Sequence, residues 1–522
     1  MSDAEQSKQS SWGADVRAGL SAVEPDASPH LEFAEREAEA YSDGQIRSGK
    51  LAGRGMWEAI WILAVPVLIQ QVLAAFVGLA DKMIAGYLPD GVAVPALDGI
   101  GIGSYVAWFL GIALTGVGVG AQAIIARAIG AGRVGEAERT AGSALTVGVI
   151  WGAVVGCAVW LSTDPLIRLC SLEGEAARFC AQYVHTMALA MPACALMTVG
   201  SMCLHGAGET AKPAWIGALV NLVNVVFAWL LSGVDFRLFG FHLISPLPID
   251  PATNGVLGIA VGTAISYAVG ALATVWVLFG GVKDLRPRPA QLRLQGDLVW
   301  RICRVGLPNF AEGVALWAVN LFVMAFIGMA ALAAATGTAD AARGGLVGAH
   351  MIAVQWEAFS FLPGFAMGTA AASLAGQFIG AGNPEMARRS AVACTWVGVA
   401  IMGTLGVALM LLGEPLTRII SREPIHLREV PPILMICGAI QVFFALAMVL
   451  RGALRGAGDT TAVLLITVVS SYGIRLPLAW LLGVKLGYGL SGIWFGLCAE
   501  LVIRGLLFLW RFRSGKWLRV RV

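Results

Sequence analysis

The stretch GVGAQAIIARAIGAGRVGEAERTA, residues 118–141, returns as GTAAASLAGQFIGAGNPEMARRSA at residues 368–391, 250 residues further on without a gap. The shorter stretch GAGET at 206–210 returns as GAGDT at 456–460 with the same offset. A repeat of this length inside one chain is typical of two halves that share a fold. We therefore expect each half to contain the same set of elements in the same order.

Composition places these halves in a membrane. Hydrophobic residues make up 57% of the 522-residue chain and charged residues only 13%, whereas soluble domains carry about 25% charge. A helix that crosses a bilayer needs about 20 apolar residues. Twelve stretches qualify, and each would form a helix that is apolar on all faces. They are 59–86, 99–126, 142–162, 182–204, 213–233, 255–280, 302–332, 346–376, 391–412, 430–450, 462–483 and 489–510. The sequence thus predicts an all-α membrane protein with six spans in each half.

Positive charge assigns sides to the connecting loops. Lysine and arginine concentrate after the even-numbered spans and at the end of the chain: Arg127, Arg133, Arg139, Lys212, Lys283, Arg286, Arg288, Arg293, Arg388, Arg389, Arg451, Arg455, Arg511, Arg513, Lys516, Arg519 and Arg521. Because cytosolic loops carry such an excess, we expect both termini to face the cytosol. With an even number of spans per half, the halves enter the membrane from the same side, as parallel repeats do.

These features give five provisional segments. Residues 1–55 are polar and predict a disordered cytosolic tail. Residues 56–280 form a first six-helix lobe and residues 301–510 a second. Between them, 281–300 is a cytosolic linker, and 511–522 is a basic cytosolic tail.

The repeated stretches resemble the multidrug and toxic compound extrusion (MATE) family, whose second and eighth helices run into a Gly-x-Gly turn followed by an Ala/Arg helix. The fourth and tenth helices of that family end in a turn similar to the GAGET and GAGDT turns here, and Pro66 and LADKMIAG match its first helix. The resemblance covers residues 56–510, and within the family it points to the DNA-damage-inducible branch. It implies two six-helix lobes in a V around a central cleft. It also implies an antiporter that exports organic, cationic or amphipathic drug-like compounds in exchange for H⁺ or Na⁺.

Ionisable residues inside spans are functional candidates because they are costly in lipid. Asp81 matches the aspartate proposed to bind the coupling ion in the first helix of bacterial members. In the branch named above, an Asn-x-x-x-Asp pair supports that aspartate; here Asn224 fits the first position, but Ala228 occupies the second, and Asn221 lies one turn earlier. The missing carboxylate favours proton over Na⁺ coupling. The alternative is an aspartate that caps the end of the first helix and is neutralised by Lys82.

A second carboxylate candidate lies in the other half. Glu312 and Gln70 each follow a proline by four residues, so we expect them at equivalent places of the two lobes, facing the cleft. Other MATE branches carry a glutamate one turn later, where this chain has Leu316, and an aspartate where it has Gly438. Glu312 is therefore either a coupling group or a structural hydrogen-bonding residue.

Two polar residues of the eighth span, Gln355 and Glu357, are further candidates for the cleft wall. Glu500 and Arg504, spaced by four residues on the twelfth span, are expected to neutralise each other. We expect no metal site and no cofactor other than the coupling ion.

Three functions remain after these observations. Ion-driven export of a small organic substrate fits best, since the chain lacks the phosphate-binding motif of an ATPase and its charge indicates no nucleic-acid partner. A flippase for lipid-linked sugars would need more cationic residues along the cleft. A membrane-embedded enzyme would need a catalytic motif that the sequence lacks. We expect a multi-pass protein of the inner cell membrane that acts without an obligate protein partner.

Overall fold

The computed structural model describes residues 45–522 except 47, 90, 170–172, 239–240, 284 and 335–338. The first half contains six long helices, with a two-stranded antiparallel hairpin between the fifth and the sixth. Their bounds are α1 Met56–Gly86, α2 Ala93–Gly130, α3 Val134–Leu169, α4 Gly174–Gly206, α5 Ala211–Ser232, β1 Phe236–Leu238, β2 Phe241–Leu243 and α6 Pro251–Gly280.

The second half repeats this order, except that a short extra helix precedes its fourth span and that span is broken into two helices. Its bounds are α7 Gly296–Ala334, α8 Ala339–Gly380, α9 Pro384–Leu411, a short α10 Gly413–Ile420, α11 Pro424–Ala439, α12 Gln441–Gly456, α13 Thr460–Lys485 and α14 Gly489–Arg513. Eleven helices of the described residues are long and apolar enough to cross a membrane, and α11 with α12, bent by 56°, can form one further span. The predicted twelve-span helical architecture is confirmed.

The two halves pack alike. In the first half α1 contacts α5, α2 contacts α4, α4 contacts α6, and α5 contacts α6. The corresponding helices of the second half form the same pairs: α7 with α13, α8 with α12, α12 with α14, and α13 with α14. The sequence repeat is therefore a structural repeat of six spans.

Equivalent turns carry equivalent glycines. Gly132 and Gly382 follow α2 and α8 with φ of 75° and 74°, and Gly208 and Gly458 follow α4 and α12 with φ of 80° and 82°. Side chains disfavour this left-handed region, whereas glycine adopts it without steric cost. The repeated glycines thus end the helices at matching points of the two lobes.

Two other repeated glycines, the last residues of α2 and α8, allow the two lobes to approach each other closely. A β-carbon built on Gly130 would lie 1.9 Å from the carbonyl oxygen of Gln377, and one built on Gly380 would lie 2.1 Å from that of Arg127. Since Arg127 and Gln377 are themselves separated by 250 residues, the two contacts are reciprocal, like those across a two-fold axis. We call this crossing of the α2 and α8 ends the seam.

Side chains reinforce the seam by bonding to backbone carbonyls of the opposite lobe. The Arg127 guanidinium donates to the carbonyl of Ala457 at 2.7 Å, and the Gln377 amide donates to that of Gly206 at 2.9 Å. The ends of α2, α4, α8 and α12 are therefore joined at one end of the molecule.

Described residues that precede α1 and follow α14 also pack near the seam. The Ser48 hydroxyl donates to the Ile129 carbonyl at 2.6 Å, and Leu51 is buried in a cluster that includes Leu374 of α8. Residues 48–54 thus belong to the folded part, although they fall within the predicted tail; residues 1–44 and 47 lie outside the described residues. At the other end, Trp517 is fully buried, because its indole packs on α14 within the predicted basic tail.

We expect Gly380→Ala to destabilise the protein, because its methyl group would collide with the Arg127 carbonyl and backbone must move. Such overpacking costs typically about 1–3 kcal/mol. Gly135→Ala, at a helical position with open space around it, is the matched control. Thermal unfolding of the purified variants measures the difference; equal melting temperatures would show that the seam has no steric requirement for glycine.

Candidate functional site

The carboxylate of Asp81 lies in the interior of the first lobe. Asp81 is five residues from the end of α1, and its side chain is 1% exposed, whereas the adjacent Lys82 is exposed. The two residues point to different sides because successive residues of a helix are about 100° apart. The α1 spacing therefore places the acid inside the lobe and its basic neighbour outside.

Three helices supply hydrogen-bond donors to Asp81. The Tyr183 hydroxyl of α4 donates to Oδ2 at 2.9 Å, and the Asn224 amide of α5 donates to Oδ1 at 3.2 Å. The Thr263 hydroxyl of α6 lies 3.0 Å from both carboxylate oxygens. Among the described residues Asp81 has no ion-pair partner, so neutral groups alone surround the carboxylate.

This cluster can hold the carboxylate in either protonation state. An ionised carboxylate accepts the three bonds from Tyr183, Asn224 and Thr263, whereas a protonated one must also donate. The Asn224 Oδ1 atom is buried without a hydrogen-bond partner, so rotation of the amide would present an acceptor to a protonated Asp81. The geometry thus provides for gain and loss of a proton.

The remaining polar residues of α5 do not join the cluster. Asn221 donates to the Gly217 carbonyl of its own helix at 2.9 Å. Ala228 is fully buried against α6, where a β-carbon on Gly262 would lie 2.4 Å from the Ala228 nitrogen. Position 228 therefore lies at a close contact between α5 and α6, and its alanine supplies no second carboxylate. The described residues also include no group of three His, Cys, Asp or Glu side chains suited to a metal ion.

The geometry differs from the alternative of a capping aspartate. Asp81 bonds to side chains of three other helices, and the amide of Tyr87 at the helix end is paired with the Ala85 and Ile84 carbonyls instead. Tyr183 and Thr263 were not among the sequence candidates. Their only signal is that they are polar residues in apolar spans, and many such residues bond within their own helix.

Glu312 occupies a different environment in the second lobe. It is fully buried, and the guanidinium of Arg455 donates to Oε2 at 2.5 Å while Nε of Arg451 lies 3.2 Å from Oε1. The Thr467 hydroxyl of α13 donates to Oε1 at 3.0 Å. Arg451 and Arg455 were predicted in a cytosolic loop, but they lie within α12 because the helix continues to Gly456.

Gln70 and Glu312 contact corresponding places of the two lobes. Gln70 packs on α5 with its Cγ 3.7 Å from a β-carbon built on Gly217, and Glu312 bonds to Thr467, which lies 250 residues after Gly217. The buried Gln70 Oε1 has no hydrogen-bond partner. The two lobes thus share a helix arrangement, but the side chain at this place is a neutral amide in the first lobe and a carboxylate in the second.

The other candidates lie elsewhere in the second lobe. Glu500 accepts bonds from Arg475 at 2.8 Å and Arg504 at 2.9 Å. The expected ion pair of Glu500 and Arg504 therefore also includes Arg475. Glu357 on α8 is half-buried without an ion pair among the described residues, and Gln355 is exposed.

Two repeated six-helix halves of membrane-spanning length form the architecture of a secondary transporter. Comparison with known families identifies the transporter family. The MatE family matches residues 66–230 and 309–481, one stretch in each half, and the chain belongs to this family. It is a multi-pass membrane transporter of the MATE multidrug efflux type and not an enzyme.

Individual relatives span nearly the whole chain. A probable multidrug resistance protein NorM of Thermotoga maritima is 30% identical over 465 residues, covering 87% of this chain and 92% of its own length. The multidrug resistance protein PmpM of Pseudomonas aeruginosa is 26% identical, covering 84% and 87%.

Solved structures agree on the fold. A MATE crystal structure in the bent conformation superposes with a TM-score of 0.76 at 20% identity, covering 92% of this chain and 98% of its own. A MOP-superfamily transporter from Pyrococcus furiosus, described as having a binding pocket of reverse polarity, gives a TM-score of 0.77 at 20% identity, covering 89% and 97%.

We expect Glu312→Gln to be strongly destabilising, because it removes the buried counter-charge of two half-buried arginines. Breaking a buried ion pair from one side costs about 3–5 kcal/mol. Glu385→Gln is the control, since Glu385 pairs with Arg389 on the surface with side chains 58% and 66% exposed, where pairs contribute about 0–1 kcal/mol. Thermal unfolding and the yield of monodisperse protein check this; equal stability of the two variants would contradict a structural role for Glu312.

Proposed function

We propose that the chain exports amphipathic organic compounds in exchange for protons, with Asp81 as the proton-carrying group. The observation that carries this proposal is the isolation of the Asp81 carboxylate. It is buried in the first lobe among the neutral donors Tyr183, Asn224 and Thr263. A carboxylate without a fixed counter-charge changes the charge of the lobe interior each time it binds or releases a proton.

A proton fits this cluster better than Na⁺. Hard cations prefer several oxygen ligands, with carboxylates among them, and the cluster offers one carboxylate. The chain has Ala228 at the position where a second carboxylate would stand. One carboxylate is sufficient to carry a proton, and this supports H⁺ over Na⁺ as the proposed coupling ion.

Alternating access would be governed by the seam. The joined ends of α2, α4, α8 and α12 bring the lobes together at one end of the molecule, so in this proposal the opposite end is the open route. Proton binding at Asp81 and substrate binding would each favour a different conformer through differential affinity. Separation of the seam would then expose the closed side.

We infer that the seam faces the cytosol and that the protein lies in the inner cell membrane. Arg133 and Arg139 follow α2 at the seam, and Arg388 and Arg389 follow α8. Such clusters mark cytosolic ends. The described residues 48–54, which precede α1, and the C-terminal Trp517 pack beside the same end, which agrees with a cytosolic location for both flanking segments. A small organic substrate and the bilayer are the only partners that this mechanism requires.

The assignment of Asp81 predicts a specific defect. Asp81→Asn keeps the size and mimics the protonated acid, which accepts at one atom and donates at the other, but it cannot exchange a proton, so we expect gradient-driven efflux to be abolished while substrate binding is retained. Dye efflux from proteoliposomes measures this, under a pH gradient and separately under a Na⁺ gradient. Asp98→Asn, at an exposed position of α2, is the matched control.

Two outcomes would contradict parts of this proposal. Efflux by Asp81→Asn at the wild-type rate would remove Asp81 from coupling and leave Glu312 as the remaining candidate. Wild-type efflux driven by a Na⁺ gradient alone, at constant pH, would replace the proton by Na⁺.

The proposed orientation predicts the accessibility of two loops. In a protein whose native cysteines are replaced, a cysteine at Arg288 should react only with reagent on the cytosolic side, because it lies between α6 and α7. A cysteine at Asp250, before α6, should react only from outside. Labelling of intact cells and inverted vesicles with an impermeant maleimide measures this, and labelling of both sites from one side would contradict the six-plus-six topology.

A further inference from the structure

The spans of the second lobe contain more positive than negative charge. Two arginines share Glu312, and two share Glu500. Glu357 is the remaining carboxylate of the candidate set and has no direct ion pair in the described residues. The members of this group are Glu312, Glu357, Glu500, Arg451, Arg455, Arg475 and Arg504. Four guanidinium groups therefore face at most three carboxylates.

The excess is located at Arg451 and Arg455. Glu500 balances one of the two arginines beside it, Arg475 and Arg504, and Glu357 interacts electrostatically with both of them. Glu312 is the sole counter-charge within salt-bridge distance of Arg451 and Arg455 among the described residues. This pair thus retains a net positive charge inside the lobe, which is costly unless an anion or water compensates it.

The first lobe shows that this packing of helices does not require arginines at the positions of Arg451 and Arg455. The positions 250 residues earlier are Ser201 and His205, and both are buried. Gln70 stands at the place that corresponds to Glu312. The same packing is therefore achieved without a charged triad, and the arginines of the second lobe call for another explanation.

The two guanidinium groups have unused hydrogen-bond donors. Each guanidinium has five N–H bonds, and Arg451 directs Nε and Arg455 directs Nη2 to Glu312. The Arg455 Nε is buried without a partner. The side chains of Arg451 and Arg455 remain 24% and 18% exposed, so neither is fully enclosed by the described residues.

We propose that Arg451 and Arg455 form a subsite for an acidic group, a carboxylate or phosphate, on the transported compound. Guanidinium groups bind such oxygens with charge-assisted and often bidentate hydrogen bonds. Glu312 positions the two arginines and limits their net charge, which would let the anion leave again. The substrates are then amphipathic acids or zwitterions instead of simple cations. This inference rests on the proposed export function and specifies its substrate class.

A matched pair of dyes tests the subsite. Rhodamine 110 has a free carboxylate, and rhodamine 123 is its methyl ester. Equilibrium dialysis against the full-length protein in phosphatidylcholine nanodiscs should show tighter binding of rhodamine 110, by about tenfold or more, the value expected of one charge-assisted hydrogen bond. Arg451→Gln and Arg455→Gln should each reduce this preference while binding rhodamine 123 no more weakly than wild type does.

Two further variants separate recognition from folding. Arg455→Lys retains the charge and should preserve part of the preference for rhodamine 110. Arg422→Gln removes a positive charge from an exposed position and should preserve all of it. Equal binding of the two dyes by the wild-type protein, or equal loss of both dyes in the glutamine variants, would overturn the proposal.

Changing the lipid composition of the nanodiscs distinguishes the two sources of the acidic group, a lipid phosphate or a free acid. If lipid phosphates occupy the subsite, nanodiscs with phosphatidylglycerol should weaken rhodamine 110 binding in wild type but not in Arg455→Gln. If the subsite serves free acids, the lipid has no effect; both results support an anion subsite. Because binding is measured without an ion gradient, its failure leaves proton-coupled export untouched, and a failure of gradient-driven efflux leaves the dye preference interpretable.

Discussion

The architecture depends on the close approach of two helix ends at the seam. Gly130 and Gly380 each lie against a backbone carbonyl of the other lobe, at a distance that excludes even a methyl group. Small residues permit this kind of contact between helices in membranes, where apolar surface alone gives little preference for one partner over another. The backbone contacts bring the donors of Arg127 and Gln377 within reach of the opposite carbonyls. The relative placement of the two lobes, and of the groups inside them, follows from this crossing.

Within this symmetric frame the lobes differ in chemistry. The first lobe surrounds one carboxylate, Asp81, with neutral donors, whereas the second surrounds Glu312 with two arginines. A carboxylate held by two cations is fixed in its charged state, but one held by hydroxyl and amide groups can exchange a proton at lower cost. This contrast supports the proposal that Asp81, and not Glu312, carries the coupling proton. The excess charge of the second lobe is better suited to a substrate.

Much of the fold could be predicted from the sequence because its signals are local and repeated. Apolar runs define spans by length alone, and the 250-residue offset pairs each element with its counterpart. The details of the sites depend on contacts between distant segments. Tyr183 and Thr263 approach Asp81 only because α4 and α6 pack beside α1, and no spacing within either helix reveals this. Arg451 and Arg455 were taken for loop residues because they precede a glycine turn, although the helix extends past both. Leu51 was overlooked because the residues around it are polar.

Fusion of the two halves into one chain changes what substitution at the seam can do. In a homodimer of six-helix subunits, a new side chain at the crossing would appear on both sides of the axis at once. Each residue would then have to fit the contacts on both sides. In the fused chain it appears on one side only. Arg127 and Gln377 illustrate the result: they occupy equivalent positions, yet one reaches Ala457 with a charged group and the other reaches Gly206 with a neutral one. Covalent linkage thus lets the two halves diverge in sequence one position at a time while the glycines at the axis preserve their common geometry.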